Sequence, residues 1–202
     1  MYLNRFSLVV EKGKEVDNGY VEMRHGTEYA LRMRNDHDVQ ADAIVRVDGV
    51  EVGTWRIPAH QNIQIERPAN VERKFTFYKL GSLEGDQAGL ERNADLGLIS
   101  VDFIPAVNTS PYQNLRGYYV EEGMKGVLQT FGNPYSKGAT RSFSAGGTGL
   151  GDHSNQSFRQ AQPIDRDYAN QVTINLRLVC VDEPAIVSLR SAVSSPVPPA
   201  VY

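Results

Sequence analysis

The chain has 202 residues, 41% hydrophobic and 22% charged, which is ordinary globular usage and enough length to bury a core without cross-links. Its 21 basic and 24 acidic residues give a formal net charge of -3, so no strong field marks nucleic acid or an anionic membrane as a partner. A single cysteine, Cys180, excludes an intrachain disulfide and a cysteine zinc site, and it falls at an apolar step of a strand-like alternation, as a small buried hydrophobe would.

The opening run MYLNRFSLVVEKGKE lacks the apolar stretch of a signal peptide. No apolar run approaches the roughly 18 residues of a membrane span. These features lead us to expect a soluble chain, made in a cytoplasm without a signal peptide.

Residues 3–10 predict a first strand. Over 27–35, Tyr29, Leu31 and Met33 fall on one face, and Glu28, Arg32 and Arg34 on the other. Over 39–47 the alternation continues through Val39, Ala41, Ala43, Val45 and Val47. Asp48-Gly49 then fits the two positive-φ positions of a type I′ turn, so residues 50–57 return as the partner strand. Trp55, the only tryptophan, sits on that return strand, as a core anchor or as a sugar-stacking or interface platform.

Residues 61–67 place Ile63 and Ile65 inward until Pro68 ends the strand. Phe75 and Phe77 predict a strand over 73–78, and Ile99, Val101 and Phe103 another over 97–104. The stretch 65–77 mixes Arg67, Arg73 and Lys74 with Glu66 and Glu72, a pattern for cross-strand or intersubunit ion pairs. Helical signal is confined to a short, glycine-interrupted stretch around 84–94. The cleanest alternation comes last, over 171–181, with Val172, Ile174, Leu176 and Leu178 inward.

Between those last two strands, residues 105–160 hold nine of the 18 glycines and seven aromatics. Loops this long tend to be functional or disordered, and the aromatics argue against plain disorder. The chain closes on SAVSSPVPPAVY, an uncharged proline-rich tail that is extended in isolation. The whole pattern predicts an all-β antiparallel sandwich, jelly-roll-like, of about eight strands. It is one domain over 1–190, with 105–160 as a long loop within it and 191–202 as an extended tail.

Reactive constellations are not evident. The histidines are His25, His37, His60 and His153, and Asp36-His37-Asp38 alternates faces on an extended chain, a poor chelating set. GGTGLGDHSNQSF (146–158) lacks the Gly-Lys-Ser/Thr ending of a phosphate loop, and Asp152, His153 and Ser154 are consecutive, unlike a catalytic triad. Neither Glu121-Glu122 nor Asp165 with Asp167 has a spacing that marks a glycosidase pair. No catalytic, cofactor-binding or metal-binding residue is assigned.

The run YALRMRNDHDVQADAIVRVDGVEVGTWRIPAHQNIQIERPANVERKFTFYKLGS (29–82), followed by GGTGLGDHSNQSF and VTINLRLV (within 146–179), resembles a module of small β-rich virion-associated proteins of phages and large DNA viruses. The resemblance is to a pattern and brings no active site. It implies a non-enzymatic structural protein of a virus particle: a minor capsid, decoration, vertex or spike-base component. Its partners would be other virion proteins and further copies of itself. The contact residues expected are Tyr112, Tyr118, Tyr119, Phe131, Tyr135, Pro196, Pro198, Pro199 and Tyr202. One alternative is a carbohydrate-binding or adhesive sandwich, with a host-surface glycan as ligand and the tyrosines of 112–135 as its platform. Another is a hydrolase with an unrecognised site.

Overall fold

The computed structural model describes residues 1–108 and 143–181. Its strands are β1 (Tyr2–Leu3), β2 (Phe6–Glu11), β3 (Lys14–Glu15), β4 (Tyr20–Met23), β5 (Thr27–Glu28), β6 (Ala30–Asn35), β7 (Ala41–Val47) and β8 (Val50–Ile57). They continue as β9 (Asn62–Ile65), β10 (Arg73–Lys79), β11 (Leu98–Pro105), β12 (Phe143–His153) and β13 (Val172–Val181). A five-residue helix, α1 (Leu83–Gln87), is capped by Ser82, whose hydroxyl accepts from the Gly85 N–H.

The protein is all-β, built from two mostly antiparallel sheets over one core. The smaller runs β1-β2-β6-β9, and the larger β5-β10-β12-β13-β11-β7-β8. β4 joins the far edge of β13 in parallel, with β3 beside it. Phe6, Leu8, Leu31 and Met33 of the small sheet meet Val45, Ile99, Val101 and Phe103 of the large one in one buried cluster. Phe6 and Phe103 stack across it, centroids 4.8 Å apart.

Period-2 alternation places most of these residues as expected. Tyr29, Leu31, Met33, Ala41, Ala43, Val45, Val47, Ile65, Phe75 and Phe77 are buried, as are Val172 through Cys180 at every second position. The turn at Asp48 (φ 51°) and Gly49 (φ 79°) has the two positive dihedrals its sequence requires. Strand count differs. Thirteen segments form among the described residues, because two-residue strands such as β1, β3 and β5 are too short to show a period.

The larger correction concerns 105–160. Its glycine-rich end is β12, an eleven-residue strand paired with both β10 and β13. These glycines are strand residues because neighbours occupy the space of their missing side chains. A Cβ on Gly149 would lie 2.6 Å from the Tyr78 ring, and one on Gly146 would lie 2.6 Å from the Tyr78 carbonyl. A Cβ on Gly147 would meet Leu96 at the same distance. No helix among the described residues is long and apolar enough to cross a membrane.

Candidate functional site

After β12, the chain crosses from His153 to Val172 with no strand, over the gap between the β8 edge of the large sheet and the β9 edge of the small one. Polar groups pin its start. Ser154 is buried, donating its N–H to the Glu72 carbonyl at 3.0 Å and its hydroxyl to Glu66 at 2.6 Å. The Gln156 amide then behaves like the peptide of an added strand. It accepts from the Glu66 N–H at 3.0 Å and donates to the Gln64 carbonyl at 2.8 Å.

Arg67 is buried, and among the described residues no carboxylate is bound to it. Its guanidinium donates to the carbonyls of Gln156, Pro68, Ala69 and Val71 at 2.8–3.2 Å. It also lies over the Phe158 ring, 4.3 Å from the centroid. Phe158 in turn meets Trp55 edge to face at 5.7 Å. Further along, Arg56 donates to the Gln162 carbonyl at 2.9 Å. Asp42 accepts from Arg56 at 2.5 Å and from Arg166 at 2.9 Å. The Tyr168 hydroxyl and the Asp42 carboxylate both stabilise the Arg166 cation and push its pKa up.

This strap roofs a groove of about 620 Å³. Trp55, Ile63 and Phe158 supply its apolar lining, Gln64 and Gln160 its amides, and Arg56, Arg159 and Arg166 its positive charge. Such a space is of the size that holds a small molecule. A second cavity, of about 540 Å³, includes Arg5, His37 and Asp167, and borders Asn108, where the first described stretch ends.

Trp55 is a core residue, 8% exposed, that also lines the groove. The expected contact residues Tyr112, Tyr118, Tyr119, Phe131, Tyr135, Pro196, Pro198, Pro199 and Tyr202 lie outside the described residues. The four histidines are dispersed. His25 faces Glu84 at 3.5 Å, His60 faces Asp38 at 3.0 Å, and His153 faces Glu72 at 3.5 Å. His37 bonds the Asn4 carbonyl at 2.8 Å. Among the described residues, no three His, Cys, Asp or Glu converge to hold a metal. Of the expected ion pairs in 65–77, Lys74 finds Glu28 across the strands at 3.1 Å, and this bond leads the causes that lower the Glu28 pKa. Arg73 instead caps the carbonyls of Leu150 and Gly151.

Apart from Trp55, whose platform alternative falls on a residue of its wall, the sequence did not mark the groove. Its residues come from β7, β8, β9 and the strap, and Gln156, Phe158 and Arg166 follow no period. No protein-family model, no curated protein and no solved structure matches the chain.

Proposed function

We propose that the protein is a non-enzymatic structural component of a virus or phage particle, a jelly-roll-like body that assembles through the segments 109–142 and 182–202. One observation carries the proposal: Phe143 pairs with Val181. The long aromatic- and glycine-containing segment therefore re-enters the sheet beside the point where the C-terminal segment leaves it. The described framework thus brings the return from 109–142 and the departure into 182–202 to one tip, while 109–142 sets out from Asn108, near Val172 at the other end of β13. Exposed apolar side chains support the same reading, with Phe143 at that tip, Tyr2 and Leu3 on the edge strand β1 and Tyr20 at the start of β4. Hydrogen exchange of the full chain across a concentration series tests it. Protection confined to 109–142 and 182–202 should grow with concentration. Concentration-independent protection there would contradict the proposal.

A second reading, a saccharide-binding module, is favoured by the roofed groove beside Trp55. It is compatible with the first for a particle component that faces a host surface.

A further inference from the structure

We infer that the groove between β8, β9 and the strap is a binding site for an acidic saccharide, a sugar bearing a carboxylate or a sulfate. This inference rests on the saccharide-binding reading and locates it in the described body rather than in the tyrosines of 112–135.

Charge comes first. The lining holds three guanidinium groups, Arg56, Arg159 and Arg166, against one carboxylate, Asp42, so two positive charges are left over. The chain as a whole is negative, at -3, whereas the lining of the groove is positive. Arg56 and Arg166 are already held by Asp42. Arg159 is exposed and makes no hydrogen bond or ion pair among the described residues, so its planar fork is available to an anion.

The remaining lining suits the rest of a sugar. The side-chain amides of Gln64 and Gln160 have no partner among the described residues, and each offers both a donor and an acceptor, as a hydroxyl group requires. The indole N–H of Trp55, also without an acceptor among the described residues, adds a donor on an apolar wall shared with Ile63 and Phe158. Amides and an indole N–H beside a single free guanidinium fit a polyhydroxylated ring with one anionic group. A nucleic-acid strand would need a longer basic track.

Because Trp55 is the only tryptophan, its emission reports entry to the groove. The full chain is titrated with sialyllactose, sulfated lactose and lactose, following Trp55 fluorescence and saturation-transfer NMR. At least one acidic sugar should bind while lactose does not, and the responding arm identifies carboxylate or sulfate. Arg159→Ala should weaken that binding at least tenfold with an unchanged melting temperature. Gln160→Ala should weaken it less, and Arg159→Lys should fall between wild type and Arg159→Ala. The inference is overturned if neither acidic sugar binds, if lactose binds equally well, or if Arg159→Ala leaves affinity unchanged.

Discussion

Asp48 shows how much one turn residue holds together. Its backbone makes the hairpin turn, while its carboxylate accepts from the Gly97 N–H at 2.5 Å and from the Thr148 N–H at 2.6 Å. Three chain segments are thereby joined at one side chain. Asp48→Ala orphans both N–H groups and places alanine at positive φ, so urea denaturation should show a loss of about 2–4 kcal/mol, and Asp48→Asn a smaller one. Burial raises the Asp48 pKa, and the two N–H bonds offset it only in part. Its contribution to stability is therefore full below the unfolded aspartate value of about 3.9 and declines as pH rises through the higher folded value. Asp102 behaves oppositely. Burial would raise it, but the Thr173 hydroxyl at 2.6 Å and Arg46 at 2.7 Å outweigh burial and hold its pKa down. Its contribution is present above about 3.9 and is lost as pH falls through the lower folded value. Unfolding free energies measured from acid to neutral pH should accordingly lose part of their acid-side fall in Asp102→Asn.

At the scale of elements, β12 and the strap define the molecule more than any single residue. If 146–151 were a loop, glycine-to-alanine changes there would be neutral or slightly stabilising, since they restrict the unfolded chain. In β12 the Cβ of Gly146→Ala meets the Tyr78 carbonyl and the Phe77 ring, and that of Gly149→Ala meets the Tyr78 ring and Ala88. Both should therefore cost about 1–3 kcal/mol by thermal or urea denaturation. Strands such as β7 and β13 were legible because alternate apolar side chains faced a core. Strand β12 was not, because its neighbours, chiefly Phe77, Tyr78 and Leu96, provide the bulk that its own glycines lack. The strap was equally opaque, since hydrogen bonds at Ser154 and Gln156 and ring contacts at Phe158 follow no sequence period. Removing the strand-like amide in Gln156→Ala should release the segment, seen as faster hydrogen exchange at Glu66 with β10 unaffected.

On the scale of the whole molecule, two sheets and one core make a stiff body, and the chain departs from it at few points. One tip carries both the return from 109–142 and the departure into 182–202, fixed by the pairing of Phe143 to Ala145 with Val181 to Val179. The proposed assembly role would place the affinity between copies in those segments and leave the sandwich itself independent of them. Sedimentation velocity of the full chain against a chain ending at Val181 tests this most directly. The account predicts concentration-dependent association of the full chain, weakened in the truncated chain, which keeps only 109–142 of the two segments, with the two sharing one melting temperature. A full chain that sediments as a monomer at every concentration, or a truncated chain that associates equally well, would contradict it.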